Sequence, residues 1–295
     1  MPTRALVLGG GGPVGIAWET GLAAGLTESG VDVSQADLII GTSAGSAVGA
    51  QLAMGRTPQQ MFAAVSADAG SSRPGPTRAN TGEGGAPPNL LPLMELMQKS
   101  LREDVDPTEV RKELGAFALQ AKTMSEEQFI ATFGKILATS EGWPAKKYTC
   151  TAVDALTGEF QAWGNDSGVP LSRAVASSCS VPGVYPPITI NGRRYIDGGM
   201  RSATNADLAK GYETVIVVAV TSNVEGPMAD VSRKRLEAEL DVLRDSGSAV
   251  VLVTPDADSR QSFGPNLMDF TRRGGAAEAG LAQGRAEAAR LSGAW

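Results

Sequence analysis

The segment that most constrains the fold lies at residues 37–54, where a short apolar run leads into two glycines that flank a serine. Residues 37–40 read Asp-Leu-Ile-Ile, the next five read Gly-Thr-Ser-Ala-Gly, and small or apolar residues continue to Met54. Small residues on both sides of a turn let a strand pass directly into a helix that packs closely on the sheet. The segment therefore predicts a strand, a sharp turn and a helix, an arrangement typical of α/β proteins.

Further strands and helices of the same kind are predicted along the chain. Strand-like runs occur at residues 5–8, 148–153, 160–163, 188–190, 193–196, 214–220 and 249–253. The last two are nearly continuous β-branched runs, which predicts central strands of a mostly parallel sheet. Asn191 and Gly192 join two of the runs and form the strongest short hairpin signal. We expect a single domain over residues 1–295, with a three-layer α/β/α fold around this sheet.

Residues 70–140 interrupt the α/β pattern. Residues 70–89 are rich in Gly, Pro and Ser and have little to bury, which predicts a flexible loop. Apolar residues then recur at three- and four-residue spacing over residues 90–101, 107–119 and 125–138. This spacing predicts three helices, which we interpret as a helical cap inserted over residues 90–140.

Composition excludes several classes of function. The net charge of −6 and the absence of clustered Lys and Arg argue against nucleic acid as a partner. The chain has no histidine, and Cys150 and Cys179 form neither a metal-spaced cluster nor a disulfide framework, so we expect two buried thiols and no metal site. No secretory or membrane-spanning segment is visible, and a cytoplasmic location is expected.

Ser43 is the candidate nucleophile. Gly41 to Gly45 match the Gly-x-Ser-x-Gly elbow, in which small flanking residues let a strained turn lift the serine hydroxyl above the strand ends. A simpler reading is a glycine-bounded turn in which Ser43 only caps the next helix. Because the chain lacks histidine, a Ser-His-Asp triad is excluded, and a base for Ser43 must be a carboxylate or a lysine.

The glycines that follow the first strand can expose backbone N–H groups to an anion. Gly10, Gly11 and Gly12 are the candidate oxyanion donors, with Val14 as a further one, since Pro13 lacks an N–H. The same stretch also satisfies Gly-x-Gly-x-x-Gly, a dinucleotide-binding pattern. That pattern needs an acid at the end of the second strand, where this chain has the serine turn instead.

Asp197 is the best candidate for the base. The Asn191-Gly192 hairpin places it at the end of its return strand, and two glycines follow it, so that other backbone can approach. An ordinary Asp-Gly turn is the alternative reading. Lys210 is a second possible base, whereas Asp154 has the sequence context of a turn residue.

Together and in this order, the glycine loop, the Gly41–Gly45 elbow and Asp197-Gly198-Gly199 resemble the patatin-like phospholipase family. The proline-rich block at residues 176–187 is also similar to that family, so that the resemblance covers about residues 5–55 and 148–220. It implies the patatin type of α/β/α fold and a Ser43–Asp197 dyad without a cofactor. It also implies an oxyanion hole at Gly10, Gly11 and Gly12, a lipid or acyl ester substrate, and transient contact of a cytoplasmic protein with a membrane periphery.

One position departs from the family pattern. Val14 stands where the glycine motif of the family usually has Arg or Lys, so lipid ester hydrolysis is a firmer expectation than phospholipid specificity. An acyltransferase and a catalytically silent lipid-binding protein remain alternatives. The apolar residues of the 90–96 segment suit either an acyl channel or lipid interface, or packing between helices, and packing is the simpler expectation.

Overall fold

Strands and helices alternate through most of the chain. The computed structural model describes residues 3–69, 90–100, 102, 104–137, 142–222 and 229–295, and the predicted loop at 70–89 lies outside them. The strands within these residues are β1 (Arg4–Leu8), β2 (Leu38–Gly41), β3 (Lys147–Asp154), β4 (Phe160–Gly164), β5 (Ile188–Ile190), β6 (Arg193–Asp197), β7 (Thr214–Val218) and β8 (Ala249–Val253). The α-helices are α1 (Gly12–Glu28), α2 (Ala44–Ala53), α3 (Pro58–Ala69), α4 (Leu91–Lys99), α5 (Pro107–Gln120), α6 (Glu126–Leu137), α7 (Leu171–Ser178), α8 (Ala229–Asp245), α9 (Ala257–Phe263) and α10 (Arg273–Leu291).

All of these strands belong to one sheet, in the order β5-β6-β3-β2-β1-β7-β8, with β4 also paired to β3. The pairings among β3, β2, β1, β7 and β8 are parallel, and those of β4, β5 and β6 are antiparallel. The predicted mostly parallel sheet is confirmed. The prediction of a central position for residues 249–253 is wrong, because β8 is an edge strand. Its apolar run reflects helices on both faces, since Val251 packs toward one core and Val250 toward the other.

Alternate side chains of each central strand enter two separate cores. Leu6 and Leu8 of β1 point into the larger core, which also contains residues of α1, α2, α3, α6, α7, α9 and α10. Ala5 and Val7 point to the opposite face, where α8 packs. This period of two, with helices on both faces, gives the predicted three-layer α/β/α fold.

The helices inserted between β2 and β3 form where the apolar spacing predicts them. They divide between the two faces of the sheet. Helix α5 packs on β3 and β6 through contacts that include Val153 and Ile196, whereas α6 packs against α2 and α7 through Phe129 and Phe133.

Helix α4 is amphipathic and lies beside α5. Leu93 and Leu96 pack toward α5, which confirms the packing interpretation for these two residues, and Leu91 and Met94 are exposed. Within the described parts of the chain, no helix combines the length and the hydropathy that crossing a membrane requires.

Candidate active site

Ser43 occupies the sharp turn that the sequence predicts between β2 and α2. Its backbone has φ 52° and ψ −117°, a conformation that non-glycine residues rarely adopt and that costs about 1 to 3 kcal/mol. The turn requires small neighbours, because a Cβ at Gly45 would lie 2.1 Å from the carbonyl oxygen of Leu8. Such a constrained turn fixes the direction of the Ser43 side chain, which is 8% exposed.

Strand β3 explains why Ser43 and Asp197 come together although they are 154 positions apart in sequence. Strand β4 takes one edge of β3 over Thr149–Val153. Both β2 and β6 must therefore use the other edge, β2 in parallel up to Cys150 and β6 antiparallel from Asp154 back to Ala152. The carboxyl ends of the two strands meet head to head at Thr151, which brings the two predicted site residues into one place.

The backbone of Ser43 is held from several sides. Its N–H donates to Ser178 Oγ at 3.0 Å, and its carbonyl accepts from Ser46 Oγ at 2.6 Å and from Cys179 Sγ at 3.1 Å. Burial raises the pKa of the Cys179 thiol, so this side chain stays a neutral donor. Both cysteines are free and buried, as predicted. The clamping contacts of Ser178 and Cys179 were missed by sequence reasoning, because nothing local links residues 178 and 179 to Ser43.

Asp197 is 2% exposed and lies at the end of β6. Burial raises the pKa of its carboxyl from the ordinary 3.8 to about 7, while the Ser43 hydroxyl and the Gly199 N–H act in the opposite direction. Oδ1 accepts the Gly199 N–H at 2.7 Å, whereas Oδ2 is buried without a hydrogen-bond partner among the described residues. The Ser43 hydroxyl is thus near enough to influence the pKa but makes no hydrogen bond of ordinary geometry with this oxygen.

A network of buried hydrogen bonds holds Thr42, the residue that precedes Ser43 in the turn. Thr42 Oγ1 lies 2.9 Å from Thr151 Oγ1, and Asn205 Nδ2 donates to Thr42 Oγ1 at 3.0 Å and to the Ser202 carbonyl at 2.8 Å. The backbone of Asn205 adopts the left-handed conformation, with φ 51°. Sequence reasoning missed its role, and the available signal was an asparagine in the irregular stretch that follows Asp197-Gly198-Gly199.

The glycine loop borders Ser43, since a Cβ built on Gly10 would lie 3.4 Å from Ser43 Cβ. The N–H of Gly10 donates to the Ala203 carbonyl at 2.7 Å, and the N–H of Val14 donates to the Leu267 carbonyl at 3.2 Å. Neither group is therefore free for an oxyanion in this conformation, contrary to the sequence prediction. The N–H groups of Gly11 and Gly12 have no acceptor within the described residues, and these two remain as candidate donors.

The structure also locates the residues behind the alternative readings. Val14 is fully buried in the core, so its position offers no place for a charged side chain. Lys210 is exposed and does not line the cavity at Ser43. Asp154 accepts N–H groups of a turn, as predicted. A dinucleotide-binding site requires an acidic residue at the end of the second strand, but β2 leads into Ser43. Asp37, before β2, accepts the N–H of Arg4.

A cavity of about 560 Å³ opens at Ser43. Gly12 and Pro13 of the glycine loop also line it. Its walls are mainly apolar and come from α1, α3, α6 and the segment after α7, with side chains that include Ile16, Met61, Val65, Phe129, Phe133 and Tyr185. No described residue of α4 lines it, so the acyl-channel alternative for residues 90–96 is not favoured.

Comparison with solved structures finds distant similarities. The chain is 12% identical to VipD from Legionella pneumophila, with a TM-score of 0.46, and the match covers 98% of this chain and 67% of VipD. It is 16% identical to the type III effector protein ExoU, with a TM-score of 0.38, over 97% of this chain and 53% of that one. The chain thus spans about two thirds of the first protein and half of the second. A search of curated protein sequences gives no match.

The sequence model of the patatin-like phospholipase family gives a direct match. It covers residues 6–210, which is more than half of the chain and includes the glycine loop, the Ser43 turn and Asp197. The described fold agrees with this assignment, because the glycine loop and Ser43 line the same cavity and Asp197 lies beside Ser43. The chain therefore belongs to the patatin-like phospholipase family.

Proposed function

We propose that this protein hydrolyses carboxylic esters of lipids, with Ser43 as nucleophile and Asp197 as general base. Family membership supports lipid hydrolase function in general. The observation that carries the finer assignment is Oδ2 of Asp197, which has no hydrogen-bond partner among the described residues and is buried beside a serine. That serine is held on a strained turn and lines an apolar cavity. A buried acceptor that lacks a partner destabilises the protein by about 1 to 3 kcal/mol, so its presence requires an explanation.

The first step is acylation of the serine. Asp197 accepts the Ser43 hydroxyl proton while Oγ attacks the ester carbonyl carbon, and the negative charge moves to the carbonyl oxygen. The N–H groups of Gly11 and Gly12, next to the positive end of α1, donate to that oxygen. Protonated Asp197 then gives its proton to the departing alcohol, and an acyl ester of Ser43 remains.

The second step is hydrolysis of that ester. Asp197, again ionised, takes a proton from water, which attacks the acyl carbon through a second oxyanion at the same donors. The intermediate then collapses, Ser43 recovers its proton from Asp197, and the carboxylic acid leaves. The raised pKa of about 7 suits this cycle, because a base whose pKa is near the working pH can both accept and return a proton.

Hydrolysis of short p-nitrophenyl esters tests the proposal. Wild-type protein should release nitrophenol, and Ser43→Ala should reduce kcat/KM by at least about 10³-fold while the circular dichroism spectrum stays unchanged. Turnover that survives in Ser43→Ala would overturn the assignment. Binding of fatty acid without any ester turnover would favour a silent lipid-binding protein, and a new ester formed with an added alcohol would favour an acyltransferase.

A cytoplasmic location with transient contact at a lipid surface completes the proposal. Its support is the pair of exposed apolar side chains of α4, Leu91 and Met94, at 64% and 52% exposure. Co-sedimentation with neutral lipid vesicles should decrease when Leu91 and Met94 are both replaced by Glu. Equal sedimentation of the double variant and the wild type would contradict this contact.

A further inference from the structure

Charged residues line part of the cavity at Ser43. Among the described residues, three cations and one carboxylate line it, namely Arg56, Lys135, Arg273 and Asp68. Arg273 pairs with Asp68 at 2.6 Å, which leaves Arg56 and Lys135 in excess. The net charge of the whole protein is −6, so the cavity has a local sign opposite to that of the molecule. A local field of this kind favours anionic ligands.

Arg56 is the better placed of the two excess cations. It is half-buried, and its Nη1 donates to Oε1 of Gln51 at 2.6 Å. Gln51 also lines the cavity and is 7% exposed. Arg56 has no carboxylate partner within the described part of the chain. A guanidinium carries five N–H donors, and one bond to a neutral amide leaves others for an anion.

The length of α2 sets the separation between Ser43 and the Gln51 side chain that binds Arg56. Gln51 follows Ser43 by eight residues, so its backbone lies about 12 Å from that of Ser43 along the axis of α2. The Gln51 amide, which accepts from Arg56, stays against this helix, because its Nε2 donates to the Ala47 carbonyl at 3.0 Å. Phe129 and Phe133 of α6 are among the apolar side chains that line the same cavity. The nucleophile and a cation thus share one mainly apolar cavity.

We infer that the cavity binds esters that carry an anionic group, a carboxylate or a phosphate, about 12 Å from the ester carbonyl, with Arg56 as the ligand of that anion. An extended chain of about eight to ten carbons spans this distance, since each carbon–carbon bond advances the chain by roughly 1.3 Å. The anion belongs either to the acyl chain or to the leaving alcohol. This inference deepens the proposed function and rests on Ser43 as the nucleophile.

Matched esters test the charge preference. The mono-p-nitrophenyl ester of decanedioic acid carries a distal carboxylate, and p-nitrophenyl decanoate has the same chain length without it. At pH 8 we expect about tenfold higher kcat/KM for the charged ester, as for a charge-assisted hydrogen bond at a partly exposed site. A four-carbon pair should show no such preference, because its carboxylate does not reach Arg56.

Arg56→Gln and Arg260→Gln change the net charge equally, and comparing them shows whether Arg56 causes the preference for the charged ester. Arg56→Gln should bring the ratio of the two kcat/KM values close to one, and Arg56→Lys should retain part of it. Arg260→Gln is the matched control, because Arg260 also donates to a neutral oxygen, the Pro255 carbonyl at 2.9 Å, but lies outside the cavity. It should keep the wild-type ratio.

A second pair of substrates shows whether the anionic group belongs to the acyl chain or to the leaving alcohol. Decyl acetate is compared with its analogue that carries a phosphate at the far end of the alcohol. An Arg56-dependent preference in this pair alone assigns the anion to the leaving alcohol, and a preference in the decanoyl pair alone assigns it to the acyl chain. Equal turnover of charged and neutral esters in both pairs, or the same ratio in Arg56→Gln and Arg260→Gln, overturns the inference.

Calorimetry separates this inference from the proposed function. If the wild type hydrolyses none of the esters, the assignment of Ser43 fails, but binding of monomethyl decanedioate and methyl decanoate remains measurable. Tighter binding of the charged ester that is lost in Arg56→Gln then supports the anion site. Equal binding of both esters overturns it.

Discussion

Asp197 and Glu239 are two buried carboxyl groups in different surroundings. Burial raises the pKa of both, and hydrogen-bond donors act against it in each case. Glu239 Oε2 accepts from Thr204 Oγ1 at 2.6 Å and from the Ala206 N–H at 2.8 Å. Asp197 Oδ2, in contrast, has no hydrogen bond of ordinary geometry with any described residue. Glu239 stabilises the irregular segment after β6, whereas Asp197 keeps an empty acceptor beside Ser43.

Burial and a raised pKa therefore do not identify a reactive carboxylate by themselves. Glu19 of α1 makes the same point, because burial raises its pKa against the opposing influence of the Gly9 N–H. Neither of its oxygens makes a hydrogen bond of ordinary geometry with a described residue, yet no serine hydroxyl is among the groups that act on its pKa. What distinguishes Asp197 is a free oxygen next to a hydroxyl on a strained turn. This distinction leads to four predictions.

The largest expected difference concerns turnover. Asp197→Asn removes the proton acceptor and should lower kcat by about 10³- to 10⁴-fold with the fold intact. Glu239→Gln removes an equally buried carboxylate of the structural kind and should stay within about tenfold of the wild type. Kinetics on p-nitrophenyl esters, with circular dichroism for folding, measure both. Similar losses in the two variants would show that the contrast is not functional.

The second difference concerns stability against pH. The pKa of Asp197 is raised from 3.8 to about 7, so the folded state binds this proton more tightly than the unfolded chain does. The contribution of this tighter proton binding to the free energy of unfolding is fully present below about pH 4. It is lost as the pH rises to about 7, which lowers the free energy of unfolding by roughly 4 kcal/mol. Urea unfolding between pH 4.5 and 8 should show that Asp197→Asn lacks this decline. A wild-type slope in the variant would contradict the raised pKa.

The third prediction uses the pH dependence of the rate. Because the ionised form of Asp197 is the base, kcat/KM should rise about tenfold per pH unit up to about pH 7 and then level, so that activity at pH 5 is about 100-fold below the plateau. Glu239→Gln should leave the midpoint unchanged. A midpoint near pH 4, or one that moves in Glu239→Gln, would assign the titration to another group.

The smallest effect is expected at Glu19. Glu19→Gln replaces a buried carboxyl that lacks partners with a neutral side chain of the same shape, and turnover should remain near that of the wild type. Because burial raises the pKa of Glu19, its contribution to folding stability, like that of Asp197, is lost as the pH rises. Glu19→Gln should therefore lose less stability than the wild type as the pH rises above the ordinary pKa range of Glu. A strong loss of activity would place Glu19 in the catalytic machinery.

Local features of the fold could be read from the sequence. The strand and helix bounds follow apolar periodicity, the hairpin follows from Asn191 and Gly192, which both have positive φ, and the turn at Ser43 follows from its flanking glycines. Each of these depends on neighbours in sequence. Local sequence–structure rules therefore suffice for them.

Features set by distant pairing could not be read in the same way. The meeting of β2 and β6 on one edge of β3 depends on β4 occupying the other edge, which no local pattern encodes. Likewise, the use of the Gly10 N–H by Ala203 and the clamping of Ser43 by Cys179 join residues more than 130 positions apart. The cavity wall from α6 and the cation at Arg56 also depend on tertiary packing.

Labelling with a fluorophosphonate tests the central claim most directly, because the probe reacts with an activated serine and its site can be read by peptide mass spectrometry. We predict one adduct, on Ser43, that forms fast in the wild type and in Glu239→Gln and is strongly slowed in Asp197→Asn. An adduct on another residue, no adduct in a preparation that hydrolyses esters, or equal labelling rates in Asp197→Asn and wild type would contradict the Ser43–Asp197 dyad.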